Sequence, residues 1–173
     1  MVCLQLEREL TGSVLDIGGG GEGIIGRLYG NNVTAIDIRQ EELDEAPEGP
    51  TKLCMDACHL EFPADSFDNA TAFFSLMYFS KEDQKRAIFE AARVLRPGGI
   101  LQIWDAKIEV ANPFLIDLQI ALCNEHVCTS YGVYKENAKQ NANDIAECCQ
   151  QAGFRLVRKE EREEWFFLHC TKG

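Results

Sequence analysis

Apolar residues along this 173-residue chain fall into two alternating periods. Short, nearly continuous apolar runs at 13–17, 32–36, 52–55, 68–74 and 99–104 have the length of strands buried on both faces. Between them the spacing lengthens to that of helices. Residues 22–29 place Ile24, Ile25 and Leu28 on one side and stop at Gly30, and 40–46 reads as a short acidic helix. The clearest helix covers 81–95. Ser80 and Asp83 have capping-box spacing, Ala87, Ile88, Ala91, Ala92 and Leu95 form one stripe, and Pro97-Gly98-Gly99 turns the chain into the next strand. A later helix is predicted over 137–151, with Ala138, Ala142, Ile145, Ala146 and Cys149 on one face and Gly153 as its stop.

Two more strand-like runs, 154–159 and 165–170, are separated only by the charged residues 160–164. So short a connection makes the pair antiparallel. The pattern therefore predicts an α/β fold: a doubly wound, mostly parallel, seven-stranded Rossmann-like sheet ending in an antiparallel hairpin. Without repeats or linkers, residues 1–173 read as a single domain. The least regular part is 106–134, where a short helix is expected around 114–122. Ligands of open α/β sheets bind beyond the carboxyl ends of the strands, so 106–134 is expected to cover a second ligand.

Charge narrows the partners. A formal net charge of -11 repels phosphate backbones and anionic bilayers, which argues against nucleic-acid and membrane partners. The start MVCLQLERELTGS has no basic-then-apolar leader, and ATAFFSLMYF falls short of the roughly 20 residues a bilayer span needs. A cytoplasmic location is expected. The eight cysteines form no C-x-x-C pair, and no disulfide framework is expected.

The stretch VLDIGGGGEG, residues 14–23, holds the most informative chemistry. Gly18, Gly20 and Gly23 have the spacing of a dinucleotide-binding turn, where missing Cβ atoms let a backbone approach its ligand. Asp16 conflicts with that reading. It stands at the strand end facing the loop, where like charges in a partly desolvated site cost several kcal/mol, as an order of magnitude. An ammonium group would be welcome there. S-adenosylmethionine carries an ammonium and a sulfonium and no phosphate.

On these residues the sequence resembles the class I S-adenosylmethionine-dependent methyltransferases, of the small ubiquinone-biosynthesis-like, type 11 family. VLDIGGGGEG resembles the family's first motif, and VTAIDI its second. MDACHLEFPADSFD and AFFSLMYF resemble the next two, and RVLRPGGILQIWD is the most specific match. The resemblance implies S-adenosyl-L-methionine as cofactor. Asp16, Gly18 and Gly20 would lie in the glycine loop, and Asp37 beside Ile38 would take the ribose hydroxyls. Asp56 would accept from the adenine amino group, with Ala57 beside the ring. Phe74, Ser75 and Leu76 would lie near the methionine end. Two departures stand out. Glu22 occupies the third glycine place with Gly23 just after it, and about a dozen residues precede the first strand where many relatives carry covering helices. The second departure implies an open pocket, or one closed by substrate or a partner chain, including a possible homodimer.

Methyl transfer to a small molecule is the leading reading. An NAD-type oxidoreductase rests on Gly18, Gly20, Gly23 and Asp37, and a non-catalytic cofactor-binding module rests on the altered loop. Asp37 and Asp56 each also suit a turn, but carboxylates ending the first three strands in succession favour the joint cofactor reading. A base is needed only if the acceptor must lose a proton, and Tyr78, Asp105, Glu109 and His126 are candidates. No catalytic residue and no metal ligand is assigned. Cys54-x3-Cys58-His59 lacks the tight paired spacing of a zinc site. Cys123, His126 and Cys128 leave thiolate-dependent metalloid methylation as a minor alternative.

Overall fold

The computed structural model describes residues 1–109, 113–134 and 138–173. In chain order come β1 (Val2–Gln5), β2 (Val14–Ile17), α1 (Ile24–Tyr29), β3 (Val33–Asp37), α2 (Gln40–Glu45), β4 (Thr51–Cys54) and β5 (Phe67–Phe73). They are followed by α3 (Lys81–Val94), β6 (Leu95–Ala106), β7 (Phe114–Ala121), β8 (His126–Val133), α4 (Ala142–Gln151), β9 (Phe154–Glu161) and β10 (Trp165–Lys172). The main sheet has the order β4-β3-β2-β5-β6-β10-β9. Neighbours from β4 to β6 pair parallel, and β10 pairs antiparallel with both β6 and β9. The predicted seven-stranded sheet and its closing hairpin are both present. Strand order reverses between β3 and β5, so β2 ends at the switch point where such sheets bind ligands.

The strand period sorts the core. Leu15, Ile17, Ala70, Ala72, Leu101 and Ile103 face α3 and α4, where Ala87, Ile88, Ala91, Ile145 and Cys149 complete one cluster. Val14, Ala35 and Phe73 face the other way and pack with Ile24, Ile25 and Leu28 of α1 and Leu43 of α2. Ser80 caps α3 as expected: its hydroxyl accepts from the amide of Asp83 at 3.1 Å. The helix stops at Val94 and β6 already begins at Leu95, which pairs with Phe67 before the Pro-Gly-Gly turn.

Two expectations are corrected. Residues 114–121 are strand β7, not a short helix. Their burial alternates, with Ile116, Leu118 and Ile120 inside and Leu115, Asp117 and Gln119 outside, which is the two-residue period of a half-buried strand. β7 pairs antiparallel with β8 over eight register pairs and parallel with β1, giving a separate sheet in the order β1-β7-β8. This second sheet lays Leu4, Ile116, Leu118, Ile120 and Val133 onto the α1 face of the main sheet. The other correction concerns α4, which starts at Ala142 rather than 137. Asn141 takes the cap, accepting from the amide of Asp144 at 2.9 Å, and Ala138 precedes the helix. Asn137 lies outside the described residues. Gln140 is withheld from the helix by an isolated bridge to Ile108.

A strand and a helix at 114–121 make different demands on Leu115 and Leu118, which are three apart and would share a helix face. Leu118→Ala is expected to cost about 2–5 kcal/mol and Leu115→Ala less than about 0.5 kcal/mol. Urea unfolding of the two variants checks this, and equal costs would restore the helix.

Candidate active site

Beyond the carboxyl ends of β2 to β5 lies a cavity of about 700 Å³. Its wall contains each residue that the sequence assigned to a cofactor: Asp16, Gly18, Gly20, Asp37, Ile38, Asp56, Ala57, Phe74 and Ser75. Leu76, expected beside them, is buried beneath the wall instead, 1 % exposed.

The loop after β2 owes its path to glycine. The amides of Gly18 and Gly19 both donate to the Ile36 carbonyl, at 2.9 and 3.0 Å, which folds the chain tightly over the β3 end. Gly18 has φ 72°, and a Cβ there would lie 2.5 Å from that of Ser75. At Gly20 an added Cβ would meet Glu42 at 2.5 Å and the Asp37 carboxylate at 3.0 Å. The amide of Gly23 donates to the Gly20 carbonyl, and Gly23, in the left-handed region at φ 56°, occupies the cap position of α1.

Asp16 lies under this loop, 2 % exposed. Its Oδ1 accepts from the Thr71 hydroxyl at 2.7 Å, across the β2–β5 register. Burial raises its pKa to about 7, opposed by the Thr71 bond and reinforced by the Asp37 charge. Asp37 closes a turn by accepting from the Arg39 amide at 3.0 Å, and Ile38 beside it is 70 % exposed at the cavity edge. Asp56 accepts from the Cys58 amide at 2.8 Å, and this bond, ahead of the contact with His59, holds its carboxyl below the usual range.

Phe74 leaves β5 with φ 47°, which is uncommon outside glycine, and its amide donates to Trp104 at 2.7 Å. The ring stacks on Tyr131 of β8, with centroids 5.6 Å apart and planes 8° from parallel. Such a pair contributes about 0.5–1.5 kcal/mol beyond its buried area. Ser75 then turns its hydroxyl onto the Ile17 carbonyl at 2.7 Å, joining the ends of β5 and β2.

The four candidate bases separate. Asp105 is fully buried and absent from the cavity wall. Burial also raises its pKa to about 7, yet it accepts from the amides of Leu76 and Ala106 and from the Gln140 side chain at 2.8–2.9 Å. Gln140 in turn accepts from Gln84 at 2.6 Å. Asp105 is the centre of a polar network that fixes the start of the 76–79 segment. Glu109 pairs with Lys107 at 3.3 Å, His126 begins β8 on the surface, and neither reaches the wall. Tyr78 does line it, and burial raises its hydroxyl pKa, so it stays protonated at neutral pH.

Some wall residues escaped sequence reasoning. Ser130 and Tyr131 come from β8, and they were hidden by the reading of 106–134 as irregular. Strand alternation at 126–133 was the available signal. Glu22 also faces the cavity, and its carboxylate accepts from the hydroxyls of Thr129 and Tyr131. Cys54 and Cys58 donate to separate carbonyls, those of Ile38 and Asp83, both at 3.6 Å. Cys123 and Cys128 are exposed on the hairpin, outside the wall.

The donor set discriminates between cofactors. The wall carries Asp16, Glu22, Asp37, Glu42, Asp56 and Asp83, and its one basic residue among those described, Arg39, is paired with Glu42. A pyrophosphate would find no unpaired cation there. The residues fit a cofactor that is cationic and phosphate-free.

Residues 15–103 match the family described as Methyltransferase domain, and the chain belongs to it. S-adenosylmethionine is the cofactor of this class, and the family placement decides against the dehydrogenase reading. The chain is 40% identical over 96 residues to 2-methyl-6-phytyl-1,4-hydroquinone methyltransferase 2, chloroplastic, of Oryza sativa subsp. japonica, a match covering 50% of this chain and 27% of that protein. It is 28% identical to O-methyltransferase cnsE of Penicillium expansum over 92% of this chain and 59% of that protein. The chain thus spans less than two thirds of the length of either relative. Among solved structures, an S-adenosylmethionine dependent methyltransferase from Mesorhizobium loti superposes with a TM-score of 0.68 at 17% identity, covering 95% of this chain and 93% of that one. Magnesium protoporphyrin IX methyltransferase from Synechocystis PCC 6803, solved with bound cofactor, gives 0.61 at 17% identity, over 95% and 72%. Among the described residues no helix is long and apolar enough to cross a membrane.

The raised pKa of Asp16 fixes the sign of a pH effect. Between the unfolded value of 3.8 and the folded value of about 7, the native state binds more protons, so stability falls as pH rises through that window. Asp16→Asn keeps an acceptor for Thr71 and removes the charge. It is expected to leave stability at pH 4 unchanged and to raise it at pH 8 by about 2–4 kcal/mol. Urea titrations at the two pH values measure this.

Proposed function

We propose that this chain transfers a methyl group from S-adenosylmethionine to a small-molecule acceptor, with 1–173 acting as one catalytic domain and 106–134 as the cover over the acceptor. The observation that carries the reading is Asp16, a desolvated carboxylate with one hydroxyl donor beneath a glycine loop, in a wall that holds no unpaired cation among the described residues. The cofactor supplies a methyl group already activated on a sulfonium, and a neutral thioether leaves.

The remaining work belongs to the chain. Asp16 takes the ammonium end, where opposite charges in a desolvated site interact strongly. Gly18 and Gly20 let the backbone approach closely, Asp37 and Ile38 hold the ribose, and Asp56 and Ala57 hold the adenine. Phe74 and Ser75 flank the methionine end, and Tyr131 stacked on Phe74 closes the acceptor side and excludes water. Positioning of this kind is the main protein contribution to a displacement between bound partners. With Asp105 buried in its own network, an acceptor that must lose a proton is expected to do so without help from that residue.

Calorimetric titration with S-adenosylmethionine, S-adenosylhomocysteine and NADH in parallel tests the reading. Micromolar binding of the first two is expected, lost in Asp16→Ala and Asp37→Ala. Affinity should rise from pH 6 to pH 8 with proton release, because a cation at Asp16 favours its charged form. Binding of NADH alone would overturn the assignment. Binding without transfer of labelled methyl groups to small molecules of a cell extract would leave a cofactor-binding module.

A further inference from the structure

Glu22 stands where the family's glycine loop usually ends, and it is held from every side. Its neighbours Gly21 and Gly23 both have left-handed backbones, φ 60° and 56°, so its position between them is fixed by the loop itself. Its carboxylate accepts from Thr129 Oγ1 on one oxygen and from Tyr131 Oη at 3.4 Å on the other. Its carbonyl accepts from Arg27 Nε at 2.7 Å, and the same guanidinium reaches Glu125, beside the start of β8, at 3.0 Å. Tyr131, the residue so held, forms the acceptor-side wall against Phe74. Burial and the adjacent Glu22 carboxylate push the Tyr131 hydroxyl pKa upward, so it remains a donor.

Resting on the cofactor reading above, we propose that Glu22 is a positioning residue that ties the glycine loop to the β7–β8 hairpin, so that a cofactor bound under the loop orders Thr129–Tyr131 and completes the acceptor wall. Acceptor binding then follows cofactor binding. β8 is the edge strand of its three-stranded sheet, with a ladder partner on one side only. The Thr129 and Tyr131 side chains, on the face shared with Leu118 and Ile116, reach the glycine loop, and the Gly132 amide donates to Tyr78 Oη at 3.3 Å. A bond from a neutral donor to a charged acceptor is stronger than one between neutral groups, so the Glu22 carboxylate is suited to transmit order from loop to strand. A glycine at this place would close the same turn and remove both carboxylate bonds, leaving the hairpin tied to the site by the Arg27–Glu125 pair, the Phe74–Tyr131 stack and the Gly132 amide donating to Tyr78 Oη.

Hydrogen exchange of the full chain, with and without S-adenosylhomocysteine, tests the coupling, while calorimetry on the same samples records binding. In the wild type the ligand is expected to slow exchange of residues 126–133 about tenfold. Glu22→Ala should bind the ligand yet show less than about twofold slowing there, and Glu22→Gln, which keeps an acceptor, should recover part of it. The double variant Thr129→Val, Tyr131→Phe should behave as Glu22→Ala does, and it decides the matter if Glu22→Ala fails to fold. Equal protection in wild type and these variants would reduce Glu22 to a static strut and overturn the proposal. So would a wild type that binds the ligand with no change at 126–133. A wild type that does not bind at all would overturn the cofactor reading, and this inference with it.

Discussion

A carboxylate taken out of water at the end of β2 is the constraint on which the site depends. Asp16 is enclosed by the glycine loop above it and by Thr71 beside it, and one hydroxyl is too little to compensate a buried charge. One glycine of the loop is required for the same reason. A Cβ at Gly19 would come within 2.5 Å of the Asp16 carboxylate, so the loop could not close over it. The fold keeps a group whose charged form it disfavours, a cost that the proposed cationic ligand would offset.

The second buried aspartate makes the contrast plain. Asp105 has the same raised pKa and the same complete burial, yet it is surrounded by two backbone amides and the Gln140 side chain. It is satisfied from within and has no need of a ligand. Its effect is mechanical: through Leu76 and the Gln84–Gln140 pair it ties α3, the bridge at Ile108 and the end of β5 into one support. The two carboxylates differ in the number of donors rather than in pKa: one hydroxyl on Asp16, three donors on Asp105.

The main sheet was legible in the sequence because its central strands are nearly continuous apolar runs and its longer helices carry single stripes. Parallel strands buried on both faces cannot be written any other way. Part of the cavity wall was legible too: Asp16, Asp37 and Asp56 lie at or just beyond the ends of β2, β3 and β4, which periodicity locates, while a cofactor role for them is implied by the family resemblance. The second sheet was not. In β8 only Val133 is fully buried, so the alternation of Val127, Thr129, Tyr131 and Val133 is present but carries little apolar weight. β1 is too short to stand out and pairs with β7, more than a hundred residues further along the chain. The start of α4 failed on another competition, because the Ile108–Gln140 bridge and the Asn141 cap outweighed a stripe extended back to Ala138.

The meeting of Glu22 with β8 bears on the fidelity of strand pairing. A polar, two-residue alternation leaves a hairpin prone to slippage, since a shift of one place exchanges the faces of every side chain. β8 reads Thr129, Ser130, Tyr131, Gly132, so a one-place slip would turn Ser130 and Gly132 toward the loop and leave Glu22 without its tyrosine and threonine. The pairing Leu118↔Thr129 and Ile116↔Tyr131 is the one that keeps both hydroxyls on the carboxylate while burying the isoleucine and leucine of β7. One carboxylate in the first loop and the apolar face of β7 thereby favour the same register of a hairpin a hundred residues downstream.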